Sequence, residues 1–149
     1  MKINNERKIN TKGKGIICAV GNTPMLCIEG VYAKLETYSP TGSIKDRMAC
    51  HMLKKAEERG DLKPGFKILE VTSGNTGIAF AMLAAAKGYK FIAVMPENMS
   101  VERFKMIRAF GAELVLSPAR EDMLGALKKF QELKLENPDA WFPDQFSNP

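Results

Sequence analysis

Lys67-Ile68-Leu69-Glu70-Val71-Thr72-Ser73-Gly74-Asn75-Thr76-Gly77 passes from a strand through a glycine-bearing turn into a helix, and that order decides the fold class. Lys67–Val71 has the short, apolar, β-branched character of a strand bounded by turn residues. The residues beyond the turn, Ile78-Ala79-Phe80-Ala81-Met82-Leu83, are apolar all round. A helix over Thr76–Lys87 must therefore be buried against a sheet, with Gly88 ending it. Phe91-Ile92-Ala93-Val94-Met95 follows, a continuous hydrophobic run of the kind that parallel sheets bury on both faces.

The alternation extends in both directions. Upstream, Val31–Glu36 reads as a strand, and Ile44–Arg59 as a helix with Met48, Met52, Leu53 and Ala56 at helical spacing and Gly60 as its stop. Downstream, helices over Val101–Phe110 and Arg120–Leu135 flank a strand at Glu113–Leu116, and Pro138 ends the regularity. Strands separated by helices form right-handed crossovers, so the expected fold is α/β, a three-layer α/β/α arrangement on a mostly parallel twisted sheet of about four strands. Two short apolar pieces, Ile16–Val20 and Met25–Ile28, have no evident partner, and the tail Trp141–Phe146 is aromatic and turn-like.

Composition narrows the function. The chain has 149 residues, the size of one ordinary domain, with 45% hydrophobic residues and a formal charge of +5. The lysines are scattered at helical surface spacing, apart from a basic head from Lys2 to Lys14, and no aromatic-interleaved basic patch points to nucleic acid. Three cysteines, Cys18, Cys27 and Cys50, fit neither a disulfide framework nor a zinc site and suit a reducing, cytoplasmic setting. No apolar run reaches the roughly 20 residues of a membrane span, and the polar head has no signal-peptide core.

Chemistry concentrates where ligands bind in such sheets, beyond the carboxyl ends of the strands. Ser43 is a good N-cap, with Asp46 placed for a capping-box-like contact, so Lys45 falls in the first helical turn. The helix field there disfavours an ammonium by up to about 1 kcal/mol and favours the neutral amine, the nucleophile needed for a Schiff base. A surface lysine is the plainer alternative. The Thr72–Gly77 loop offers backbone N–H groups at a helix start together with donors on Ser73, Asn75 and Thr76, which suits a carboxylate. It matches neither a Walker A loop nor G-x-G-x-x-G, and a tight turn needing two glycines is the alternative. The one histidine, His51, lies well beyond Lys45 and is read as non-catalytic. Asp46 and Arg47 are read as capping and packing residues, and Glu97, Glu102 and Arg103 as fixing the loop after the third strand.

Six blocks occur in order: Gly21-Asn22-Thr23-Pro24, Lys34-Leu35-Glu36, Ser39–Arg47, Thr72–Gly77, Met95–Arg103 and Gly111-Ala112-Glu113, with Gln145-Phe146-x-Asn148-Pro149 as a further one. Together they resemble the amino-terminal half of the cysteine synthase (O-acetylserine sulfhydrylase) and cystathionine β-synthase family of pyridoxal-phosphate enzymes. The resemblance implies that Lys45 holds the cofactor as a Schiff base and moves the substrate α-proton, and that Asn75 bonds the cofactor ring hydroxyl. It implies that Thr72, Ser73, Gly74, Thr76 and Gln145 bind the amino-acid carboxylate.

The implied reaction is β-replacement, O-acetylserine and sulfide giving cysteine and acetate. Cystathionine synthesis, serine/threonine deamination on the same scaffold, or a non-catalytic interaction role are the alternatives. The implied organisation is an amino-terminal segment (1–30) packed on a larger domain, a smaller α/β domain (31–136), and the start of the crossover (137–149). By the resemblance, the larger domain with its phosphate-binding loop is expected to be missing from these residues, and the chain to be a truncated form that is weak or inactive alone. The implied partners are a small-molecule substrate and a second copy or another chain, without nucleic acid or membrane.

Overall fold

The computed structural model describes residues 15–148, so the basic head and Pro149 lie outside the described residues. Its centre is a parallel sheet of three strands in chain order: β3 (Lys67–Val71), β4 (Lys90–Pro96) and β5 (Glu113–Ser117), following a separate pair, β1 (Met25–Ile28) and β2 (Val31–Lys34). Val71 sits opposite Val94, and Val94 opposite Val115, so the strands end together at one carboxyl edge.

The helices are α1 (Lys45–Arg59), α2 (Asn75–Lys87), α3 (Val101–Ala109) and α4 (Asp122–Glu136). Strand alternation sorts the sheet residues into two cores. Ile68, Phe91, Ala93 and Met95 pack with α2 and α3, and α1 lies against α2. Leu69, Val71, Ile92 and Val94 pack with Ala126 and Phe130 of α4. These are the three layers expected. Because α2 is apolar on every side it is buried on every side: Ile78, Phe80, Met82 and Leu83 are each at most 4% exposed.

Three details differ from the sequence expectation. Val31–Glu36 does not join the parallel sheet. Its first part, β2, pairs antiparallel with β1 across Glu29-Gly30, and Glu36 already opens a 3-10 turn. Both turn residues have positive φ (50° and 84°), the geometry of a two-residue hairpin turn, so Met25–Ile28 finds its partner next door, while Ile16–Val20 lies along a 3-10 turn (Gly15–Ala19) whose Ile17 packs on the core with α2. The main sheet therefore has three strands, and the free edge of β3 is taken by Trp141. The Trp141 N–H donates to the Lys67 carbonyl (2.8 Å), and the Leu69 N–H donates to the Trp141 carbonyl (3.0 Å).

At α1, Ser43 Oγ accepts the Lys45 N–H (3.2 Å) as a cap should, but the buried Asp46 carboxylate accepts the Thr41 N–H (2.8 Å) and hydroxyl instead of closing a box on Ser43. Finally, Ala119–Glu121 is a 3-10 turn, and Asp122 at φ 47° separates it from the regular part of α4. Among the described residues no helix is long and apolar enough to cross a membrane, and no cluster of His, Cys, Asp and Glu is placed to hold a metal ion.

Candidate active site

Behind the cleft, the first sequence blocks interlock. Arg47 Nε donates to Glu36 Oε2 (2.8 Å), and Arg47 Nη2 donates to Thr23 Oγ1 (2.9 Å) and Glu36 Oε1 (3.0 Å). The Thr23 hydroxyl donates to Glu36 Oε1 (2.7 Å), and a Cβ on Gly21 would stand 2.9 Å from Arg47 Nη1. The Arg47 guanidinium holds the Glu36 carboxyl below its ordinary range. This cluster fastens the segment around the hairpin to the first turn of α1, two positions after Lys45.

The loop between β3 and α2 is tied from within. Thr72, 1% exposed, accepts the N–H groups of Gly74 (3.2 Å) and Gly77 (3.0 Å) on its Oγ1. Its oxygen is thus committed to the turn, and only its O–H proton is left for a ligand. Neither glycine is there for a left-handed backbone. A Cβ on Gly77 would lie 2.5 Å from Thr72 Cγ2 and 3.2 Å from Ile107 Cδ1, so Gly77 allows α2 to sit against the turn. A Cβ on Gly74 would lie 2.8 Å from Arg103 Nε. Arg103 Nη1 also donates to the Ser73 carbonyl (3.0 Å), pinning the loop from α3.

Lys45, the Thr72–Thr76 loop, Arg103, Gln145 and Phe146 line one cleft of about 300 Å³. The structure therefore brings all seven residues singled out from the sequence to one place. Among the described residues, no carboxylate pairs with the half-buried Lys45 amine, because neighbouring Asp46 is engaged by Thr41. Ser73 and Asn75 are exposed, while Thr76 is 4% exposed and donates its hydroxyl to Gln145 Oε1 (2.7 Å). Asn75 and Thr76 open α2, so their N–H groups have no intrahelical acceptor. An unpaired amine faces a row of donors. That set can hold a carbonyl compound at the lysine and an anion at the loop.

Sequence reasoning missed Arg103 as a lining residue. The signal available was the glycine at position 74, which leaves room for a large side chain, but a sequence does not say which one. Glu70 reads from the sequence as an ordinary strand residue. It is 2% exposed, and burial pushes its carboxyl up to about 8.

The family model described as pyridoxal-phosphate dependent enzyme matches residues 16–149. A cysteine synthase of Flavobacterium sp. is 50% identical over 137 residues, covering 87% of this chain and 45% of that protein. Among solved structures, O-acetylserine sulfhydrylase isoform 3 from Entamoeba histolytica superposes with a TM-score of 0.92 at 38% identity, covering 100% of this chain and 48% of that one. O-ureido-L-serine synthase superposes at 0.83 with 44% identity over 90% of this chain and 44% of that one. The chain belongs to the pyridoxal-phosphate dependent enzyme family. It spans about half the length of the curated relatives it matches.

Proposed function

We propose that the cleft is the lysine-bearing side of a pyridoxal-phosphate site for β-replacement on an amino acid, with O-acetylserine and sulfide as substrates and cysteine and acetate as products. The observation that carries this reading is the unpaired Lys45 amine in the same cleft as the Ser73–Thr76 donors. The likeness to cysteine synthases supports the choice of substrates.

The residues fit the cofactor's reactive end: Lys45 Nζ for its aldehyde carbon and the exposed Asn75 amide for its ring hydroxyl. When bound, the cofactor supplies an electron sink for negative charge at the substrate Cα. The chain's own groups do the rest. Lys45 Nζ, once released from the cofactor, takes the Cα proton. Ser73, the N–H groups opening α2, and the Thr76–Gln145 pair orient the substrate carboxylate, and Thr72 keeps the loop in shape. Arg103 holds the Ser73 carbonyl so that the loop keeps this face toward the cleft.

Exposed apolar side chains, Met25, Ile28, Val31 and Tyr32 on the hairpin and Phe146 at the cleft, support association with a second copy or another chain. Three free cysteines support a reducing, cytoplasmic setting. Turnover assays of the protein with pyridoxal phosphate test the reading. Cysteine formation from O-acetylserine and sulfide supports it, whereas activity only with serine and homocysteine, or only deamination, replaces it with the cystathionine-forming or deaminase reading. Absence of any turnover and of cofactor binding leaves the interaction role.

A further inference from the structure

The segment that carries Gln145 into the cleft holds the sheet by a single rung. The Trp141 N–H donates to the Lys67 carbonyl (2.8 Å) and the Leu69 N–H to the Trp141 carbonyl (3.0 Å), a parallel pairing centred on Ile68. The next rung of such a ladder needs an N–H at position 143, and Pro143 has none. The chain therefore leaves the sheet. Asp144 turns it with a left-handed backbone (φ 47°), and the Asp144 carbonyl accepts the N–H groups of Ser147 (3.0 Å) and Asn148 (2.9 Å). Gln145 Oε1 then meets the Thr76 hydroxyl at 2.7 Å. One rung is a weak hold for so close a placement. A slip of one residue would carry Gln145 about 3.3 Å along the edge and exchange the faces taken by its neighbours.

What fixes the register is a pair of rings on opposite faces of the sheet, as adjacent strand residues point to opposite sides. Trp141, 7% exposed, packs on the α2 face, edge-on to Phe80 (centroids 6.1 Å apart, 72° between planes). Phe142 packs on the α4 face, T-shaped against Phe130 (6.0 Å, 88°). Lys134, one turn beyond Phe130 on α4, places its Nζ 4.7 Å from the centroid of the Phe142 ring, within cation–π reach. Trp141 belongs to the main core, whereas Phe142 is half-buried at the margin of the other one, so its contacts can be removed without emptying either.

We propose that Phe142, gripped by Phe130 and Lys134, is a positioning residue for Gln145: it locks the register of the segment after Trp141, so that the Gln145 amide meets Thr76 at the cleft. The link to substrate rests on the reading of the cleft given above.

Hydrogen exchange and side-chain amide NMR of the full chain, without cofactor or substrate, read the lock directly. The Leu69 N–H reports whether Trp141 stays on the sheet. The Gln145 amide resonances report the bond to Thr76, and the shift caused by Thr76→Val marks its loss. Phe142→Ala should lower the protection of Leu69 by at least about tenfold and move the Gln145 resonances as Thr76→Val does. The Thr72 N–H, which donates to the Val94 carbonyl (3.0 Å), should stay as protected as before. Lys134→Met keeps the stem, removes the charge, and should lower Leu69 protection by about two- to fivefold. A Phe142→Ala protein with unchanged Leu69 protection or unmoved Gln145 resonances overturns the proposal, and so does a Lys134→Met protein that matches the unsubstituted one. Should the alanine variant not fold, the exposed Lys134 position still decides it. In turnover, Phe142→Ala should raise the KM for O-acetylserine by up to about tenfold with a smaller change in kcat, and should add nothing to Gln145→Ala. Effects of the two that multiply also overturn the proposal. If exchange and resonances behave as expected while Gln145→Ala leaves the KM for O-acetylserine unchanged, the reading of the cleft fails and the role of Phe142 stands.

Discussion

Thr76 and Gln145, 69 positions apart, are joined by a 2.7 Å hydrogen bond from the Thr76 hydroxyl to Gln145 Oε1. The bond joins the first turn of α2 to the segment that crosses the end of β3. It leaves the Gln145 amide N–H groups and two helix-start N–H groups as donors on one side of the cleft. That side is where we propose the amino-acid carboxylate binds.

Thr76→Val removes the donor while preserving shape. A neutral hydrogen bond contributes about 0.5–1.5 kcal/mol net. The expected outcome is a loss of stability within that range, and a rise of up to about tenfold in the KM for O-acetylserine with a smaller change in kcat. Steady-state kinetics beside denaturant unfolding separate the two effects.

The two loop glycines should respond differently to alanine. At Gly77 the new methyl meets Thr72 Cγ2 at 2.5 Å, with Ile107 behind it, and neither neighbour can leave the core. Overpacking of that kind costs about 1–3 kcal/mol. At Gly74 the methyl meets the Arg103 side chain, which swings aside, so Gly74→Ala should cost less in stability and break the Arg103–Ser73 contact. Denaturant midpoints of the two variants check the order.

The Glu36–Arg47–Thr23 cluster sets a pH dependence on the acid side. The Glu36 carboxyl is depressed below 4.5, first by its hydrogen bond from Arg47 and then by that from Thr23. A depressed acid contributes stability that is complete above its ordinary value and lost as pH falls through the lowered one. The hairpin amides, Leu26 to Ala33, should therefore lose exchange protection on acidification below pH 4.5, ahead of the β4 amides. Glu36→Gln should show the loosened hairpin already at neutral pH.

The layered fold was legible because α2 and β4 are apolar on all sides, a pattern that calls for burial on both faces of each element. The Thr72–Gly77 loop was legible as a site because it stands at a strand-to-helix junction on the carboxyl edge of a parallel sheet, whereas Lys45 was legible from its place at a helix start, although the strand before it lies outside that sheet. The hairpin is not legible in the sequence, since Met25–Ile28 and Val31–Glu36 read as separate pieces and nothing but the Glu29-Gly30 turn between them, both residues at positive φ, joins them. Arg103 and Trp141 owe their places to contacts made far along the chain. Gly74 announces a close neighbour without naming it, and a glutamate within a strand such as Glu70 reads like any solvent-facing residue although it is buried in the fold.

The central claim is that Lys45 is the residue that takes the cofactor. Incubation with pyridoxal phosphate, borohydride reduction and peptide mapping test it most directly. The expected result is a pyridoxyl group on the Lys45 peptide, accompanied before reduction by a visible absorbance band, with both lost in a folded Lys45→Ala protein. A label spread over surface lysines such as Lys54 and Lys128, and unchanged by Lys45→Ala, would contradict the account.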